Sequence, residues 1–301
     1  KQSKGTTIMN YFLTGGTGFI GRFLVEKLLA RGGDVHLLVR KESLDKLEAL
    51  KERWGPASDR VHAVIGDLAK PGLGLDAKSR KALAGKVDHF FHLAAVYDMA
   101  SDETTQQQAN VEGTRHALEA ATALEAGCFH HVSSIAAAGL YKGTFREDMF
   151  DEATNLDHPY LRSKHESEGV VREECGIPFR IYRPGMVVGH SRTGEMDKVD
   201  GPYYFFKMIQ KIRHALPEWM PTIGVEGGRL NIVPVDYVVA ALDYIAHQQG
   251  RMDFASIWWI PSPIRSVRSS IRFARRATPH EWRCGWTPAC SASCRPSSAS
   301  P

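Results

Sequence analysis

Tyr160 and Lys164 stand four residues apart in Pro159-Tyr160-Leu161-Arg162-Ser163-Lys164, at the head of an amphipathic segment. On a helix that spacing puts both side chains on one face, one turn apart. A phenol with its ordinary pKa near 10 is a weak acid or base at neutral pH. A neighbouring ammonium favours the phenolate and brings the phenol into a useful acid–base range. Tyr-x-x-x-Lys alone is common, and a solvated helix pair is its ordinary meaning. Val132-Ser133-Ser134, at the end of an apolar run, gives the pattern weight, with Ser134 26 residues before Tyr160. A hydroxyl there can hold a carbonyl oxygen beside the phenol as negative charge develops.

A second constellation lies near the start. Thr14-Gly15-Gly16-Thr17-Gly18-Phe19-Ile20-Gly21 follows the apolar run Asn10–Leu13 and leads into a helical pattern. Gly15 permits a tight turn, Gly18 lets the backbone approach a pyrophosphate, and Gly21 lets helix and strand pack closely. The helix N-terminus supplies N–H groups for the phosphates, and Thr17, Phe19 and Ile20 share the turn. About 20 residues further on, an NAD site carries an acid for the ribose hydroxyls. The strand tip here reads Val39-Arg40-Lys41. Two cations suit the 2′-phosphate of NADP, with Arg40 placed to fork around it; a solvated pair of strand-end charges is the alternative. Asp67 in Gly66-Asp67-Leu68 is placed to meet an adenine amine, and Arg183-Pro184-Gly185 to meet a carboxamide with its backbone. The expected cofactor is NADP(H). No His or Cys set has metal-ligand spacing, so no metal is expected.

These residues need a frame, and the chain alternates short apolar runs with amphipathic stretches, as a parallel sheet covered by helices does. Strands are predicted at Asn10–Leu13, Val35–Val39, Val61–Ile65, His89–Leu93, His130–Ser133 and Phe179–Tyr182. Helices are predicted at Phe19–Arg31, Ser43–Trp54, Ala77–Leu83, Thr104–Leu124, Pro159–Cys175 and Val235–His247. The fold class is α/β, a Rossmann-type doubly wound parallel sheet with a small, incomplete C-terminal substrate-binding region. Residues 9–190 form the NADP-binding domain with the Ser/Tyr/Lys set. Residues 191–250 form the substrate region, its 231–250 part returning to the core. There the aromatic and Met-rich run from Tyr203 to Ile209, with Leu216, Trp219 and Met220, suits an acyl-chain groove or plain helix core equally.

The 301 residues are 43% hydrophobic and 24% charged, which excludes a disordered or collagen-like chain. The longest uncharged run, Ala126 to Tyr141, is too short and too polar to span a bilayer. No basic-then-apolar leader opens the sequence, so the cytoplasm is the expected compartment. The net charge of +4 is unevenly spread: residues 251–301 hold eight Arg, no Lys and two acids, leaving −2 for the first 250. A nucleic-acid partner is therefore not expected. The same tail holds four of the six Trp and three of the five Cys, without periodicity. Trp has one codon, and a one-base shift turns Ile257-Trp258-Trp259-Ile260-Pro261 into a sequence like His-Leu-Val-Asp-Pro, which reads as a buried strand. The tail is thus read as frame-shifted near Arg251 and disordered; a plain disordered extension rich in Ser, Pro and Arg is the alternative.

Across residues 9–250 the chain resembles the extended short-chain dehydrogenase/reductase family. The matches are the glycine motif, Asp67, His92-Leu93-Ala94-Ala95, Asn110, the Ser134/Tyr160/Lys164 set and Arg183-Pro184-Gly185. The resemblance implies Ser134 rather than Ser133 as the catalytic hydroxyl, and cofactor contacts at Leu68, Ala94, Tyr160, Lys164, Pro184 and Val187. Ile135-Ala136-Ala137 after Ser134 lacks the acid pair of the family's dehydratases. Met9–Gly21, His130–Tyr141, Phe145–Pro159 and Gly194–Leu216 are similar to the N-terminal module of bacterial alcohol-forming fatty acyl-CoA reductases. That likeness implies NADPH-dependent reduction of a long-chain acyl-CoA or fatty aldehyde, with a downstream reductase module as partner in the intact protein. A nucleotide-sugar epimerase or dehydrogenase, and a non-catalytic NADP-binding protein with a damaged C-terminus, are the competing readings. Resequencing the gene through the Arg251 codon is expected to expose one missing base; an intact frame contradicts the shifted tail.

Overall fold

The structure, a computed structural model, describes residues 8–96, 102–197 and 231–248, and the backbone of 254–258. The chain divides into two compact units, Lys1–Val188 with Leu230–Ser262 and Gly189–Arg229 with Pro263–Pro301. In the second, the described segment is 189–197, a turn closed by the His190 N–H donating to the Glu195 carbonyl at 3.0 Å.

The first unit is built on a seven-stranded sheet in the order β3-β2-β1-β4-β5-β6-β9, every pair parallel. Its strands are β1 (Asn10–Thr14), β2 (Asp34–Val39), β3 (Val61–Ile65), β4 (His89–His92), β5 (Cys128–Val132), β6 (Phe179–Pro184) and β9 (Phe254–Trp258). A separate pair joins β7 (Met186–Val188) to β8 (Ile232–Pro234). The crossovers are α1 (Phe19–Ala30), α2 (Leu44–Trp54), α3 (Ala77–Leu83), α4 (Glu103–Gln106) with α5 (Gly113–Ala123), α6 (Pro159–Glu174) and α7 (Val235–Ala246). Strand order reverses between β1 and β4, which opens a crevice at the carboxyl ends there.

Alternate strand residues feed two cores, because a sheet with helices on both faces must be apolar on both. Tyr11, Leu13, Leu37, Phe91 and Tyr182 pack with Leu24 and Leu28 of α1 and Val238 and Leu242 of α7. Phe12, Phe90, Phe129 and Ile181 face the other way, with Ala117 and Ala121 of α5 and Val170 and Val171 of α6. Cys128 is buried and Cys175 half-buried, as their apolar neighbours suggest.

Three features depart from the sequence reading. The helix expected at Thr104–Leu124 is interrupted by a π-helical turn, Gln107–Glu112, which re-aims Asn110 inward. The β7–β8 pair is too short, at three residues each, to leave a periodic signature. Most of the anomalous tail lies outside the described residues, but the expected disorder is corrected at 254–258. That backbone pairs with β6 from Arg180↔Phe254 to Pro184↔Trp258. Sheet pairing uses main-chain groups that any non-proline residue supplies, and Phe, Ile and Trp suit strands.

Several imidazoles are buried within this unit. His130 Nδ1 and the Tyr182 hydroxyl lie 2.7 Å apart, while among the described residues both His131 ring nitrogens lack a partner. Burial pushes the His92 imidazole down to about 3, and His130 and His131 well below their ordinary value. An unfolded chain takes up these protons near pH 6.5 and the folded chain does not, so stability is complete above pH 6.5 and falls below it. The expected loss is about 1.4 kcal/mol per imidazole per pH unit below 6.5. Urea unfolding at pH 7.5 and 5.5 measures it, and equal stabilities contradict it.

Candidate active site

The glycine turn forms where β1 ends. Gly15 has φ +71°, and a Cβ there would lie 2.7 Å from the Ala94 nitrogen, so only glycine fits between β1 and the chain leaving β4. The Gly18 N–H donates to the Gly15 carbonyl at 3.0 Å. A Cβ on Gly21 would stand 2.2 Å from that same carbonyl oxygen, which is how closely α1 rides over the turn. Helix α1 begins with no side-chain cap and no acid in its first turn. Its first N–H groups and positive end therefore suit an anion. Thr17, Gly18, Phe19 and Ile20 are partly exposed along it. This cradle fits the pyrophosphate of a dinucleotide.

The other positions expected at the cofactor have distinct surroundings. Arg40 is exposed just past β2, before the 3₁₀ turn Lys41–Ser43. Asp67 follows β3, its N–H donating to Leu73 O at 2.8 Å and its Oδ1 accepting from the Ala69 N–H at 3.0 Å. The Leu68 carbonyl accepts from His116 Nδ1 at 2.8 Å, which ties this loop to α5. Ala94 seats against Gly15, its N–H donating to Thr14 Oγ1 at 3.3 Å. At the end of β6 Pro184 is buried, and the Asn231 carbonyl comes within 2.6 Å of where a Gly185 Cβ would stand. Val187 pairs with Val233. Gly185 is thus held close against the residue that leads into β8.

Helix α6 carries Tyr160 and Lys164 on its buried face, at 7% and 5% exposure. Pro159 opens the helix, and His158 Nδ1 accepts the Tyr160 N–H at 3.2 Å. Burial lowers the Lys164 ammonium to about 8. The residues on both sides of Ser134 are hydrogen-bonded to this helix. Ser133 Oγ donates to Glu168 Oε2 at 3.0 Å, and His165 Nδ1 donates to the Ala137 carbonyl at 2.9 Å. Ser133 is buried and committed to that carboxylate. Ser134 is partly exposed and caps a 3₁₀ turn, its Oγ accepting from the Ala136 N–H at 3.1 Å.

Sequence reasoning gave Asn110 and His92 only as family matches, and passed over their partners and Glu168. Asn110 accepts from the Val96 N–H at 2.8 Å, and its amide donates to Gln106 Oε1 at 2.7 Å and Ser163 Oγ at 3.0 Å. It thereby holds the loop after β4 against the residue preceding Lys164. His92 bridges Thr14 and Thr114: Thr114 Oγ1 gives its proton to the Asn110 carbonyl at 2.6 Å, so His92 Nε2–H donates to it and Nδ1 accepts from Thr14. Glu168 is 0% exposed and paired with Arg183. The pair leaves no local signature, since a glutamate in a helical run reads as solvated.

Residues 13–242 match the NAD-binding family described as Male sterility protein. The chain belongs to that family. It is an extended short-chain dehydrogenase/reductase. Among its curated relatives, the non-canonical nonribosomal peptide synthetase FrzA of Cladobotryum sp is 32% identical over 85% of this chain and 26% of its own length. The aldehyde reductase lnbA of Aspergillus flavus is 30% identical over 80% of this chain and 26% of its own. The terminal R domain of the myxalamid PKS-NRPS pathway superposes with a TM-score of 0.77 and 27% identity, over 91% of this chain and 70% of that one. The chain spans about a quarter of the length of these two curated relatives. Family membership makes it a domain that binds a nicotinamide dinucleotide. Among the described residues no group of metal-ligating side chains gathers, and no helix is long and apolar enough to cross a membrane.

Gly21→Ala tests the cradle. Overpacking against the Gly15 carbonyl is expected to cost about 1–3 kcal/mol and to weaken binding of the nicotinamide dinucleotide. Thermal melts and a fluorescence titration measure both, and wild-type values in both contradict the close approach.

Proposed function

We propose that the chain reduces a fatty acyl thioester with NADPH to the aldehyde and the free thiol, or a fatty aldehyde to the alcohol, with NADP⁺ as the other product. The observation that carries this is the placement of α6: buried Lys164 and Tyr160 lie on the helix that hydrogen-bonds both sides of Ser134. A bound nicotinamide cofactor supplies hydride to a carbonyl carbon. Tyr160 donates the proton that the carbonyl oxygen needs, and Ser134 steadies that oxygen as its charge grows. Lys164, charged below about pH 8, favours the phenolate left behind and holds the ribose. Gly15, Gly18 and Gly21 receive the pyrophosphate, Asp67 the adenine amine, and Arg40 the 2′-phosphate, which is the basis for NADPH over NADH.

A carbonyl substrate is further supported by the relative named as an aldehyde reductase. The synthetase relatives favour a second source for the thioester: delivery on a larger assembly rather than as free acyl-CoA. The hydride and proton chemistry is the same for both.

Decanal reduction tests the reading. Wild type is expected to oxidise NADPH in preference to NADH, and Tyr160→Phe to lose about 10²–10⁴-fold in kcat. Turnover retained by Tyr160→Phe overturns the assignment. A wild type inert toward decanal and decanoyl-CoA overturns the substrate class.

A further inference from the structure

Glu168 lies one turn beyond Lys164 and two beyond Tyr160 on α6, with its carboxylate fully buried. Burying a carboxylate is costly unless its lone pairs are filled by charged or hydrogen-bonding partners. Here they are filled by three residues, one on the same helix and two from other parts of the fold. Arg172, on the same helix, donates through Nε and NH2 to Oε1 at 2.9 and 2.8 Å. Arg183, at the end of β6, donates Nε to Oε2 at 2.9 Å and NH2 to Oε1 at 2.5 Å. Ser133, just past β5, donates to Oε2 at 3.0 Å. The Arg183 guanidinium continues to the carbonyls of Arg146 at 3.3 Å and Met149 at 2.8 Å.

One carboxylate therefore joins the helix of Tyr160 to the residue that precedes Ser134. It also fixes the residue that precedes Pro184 and Gly185, and the segment 146–149. Two guanidiniums against one carboxylate leave the cluster with a surplus positive charge, so the Ser133 hydroxyl is not needed to neutralise Glu168. The bond from Ser133 does something else: it ties the strand end bearing Ser134 to the helix bearing the phenol.

We propose that Glu168, through Ser133, is a positioning residue that sets the distance from Ser134 to Tyr160. The inference rests on the carbonyl-reductase reading above, in which Ser134 and Tyr160 share one oxygen. A displacement of about 1 Å between such groups costs up to about a hundredfold in rate. Releasing Ser133 therefore slows the chemical step and leaves cofactor binding as it was. A purely structural bond would lower the melting temperature and leave kcat of the folded protein alone.

Decanal reduction by the full 301-residue chain is compared for wild type, Ser133→Ala, Ser134→Ala and the double variant, with melting temperature and the KM for NADPH measured alongside. Ser133→Ala is expected to lower kcat about tenfold, with the KM for NADPH unchanged. In the Ser134→Ala background it is expected to cost nothing further, because its effect passes through Ser134. Glu168→Gln is expected to follow the same pattern; should it fail to fold, the serine cycle decides. An unchanged kcat in Ser133→Ala, or the same tenfold loss in the Ser134→Ala background, overturns the proposal alone. A wild type inert toward decanal, or a fully active Ser134→Ala, overturns the reading beneath it as well, and so separates the two failures.

Discussion

Every strand of the main sheet runs in the same direction, and that constraint decides where chemistry can happen. All carboxyl ends fall on one edge, so the glycine turn, Arg40, Asp67, Ala94, Ser134 and Pro184 emerge side by side although 170 residues separate the first from the last. Parallel pairing needs crossovers, and the crossovers are the helices that deliver Tyr160 and Lys164 to the same edge. The apolar layers on both faces hold the arrangement, which is why nearly every strand residue of β1 and β6 is buried.

The second constraint is the cost of polar groups inside those layers. Thr14, His92, Thr114, Asn110, Gln106 and Ser163 form one connected run of hydrogen bonds from β1 to α6. Glu168, Arg183 and Ser133 form another. Each member satisfies a neighbour that would otherwise be buried without a partner, so neither run can slip by a residue. Arg180 does the same for α7, whose last carbonyls at Ile245 and Ala246 it caps from within the sheet. These networks give an otherwise greasy sandwich a single register.

What could be read from the chain divides along that line. The glycine turn and the Tyr160–Lys164 spacing were legible because their meaning is local: a turn needs glycine where φ is positive, and a helix repeats every turn. Six strands and the helix faces followed from periodicity. Asn110 was visible only through resemblance, because its inward aim depends on a π-helical turn that no period announces. Glu168 was invisible, since an Arg172 four residues on reads as an ordinary surface pair and its other partners lie 35 residues before it and 15 after it. The close approach of the Asn231 carbonyl to Gly185 was likewise not legible, since Asn231 lies 46 residues further along the chain.

The tail shows a different limit. Composition marked everything after residue 250 as foreign to the rest, yet 254–258 occupies the seventh place in the sheet. An open edge beside β6 accepts backbone of almost any sequence, so pairing there says little about side-chain fit. The claim on which all else rests is that this carboxyl edge moves a hydride onto a fatty carbonyl. Decanal should be incubated with the protein and NADPH deuterated at C4, each face in turn, and the decanol examined by mass spectrometry. One of the two cofactors should place deuterium on the carbinol carbon of decanol; NADPH that binds while neither labels that carbon contradicts the account.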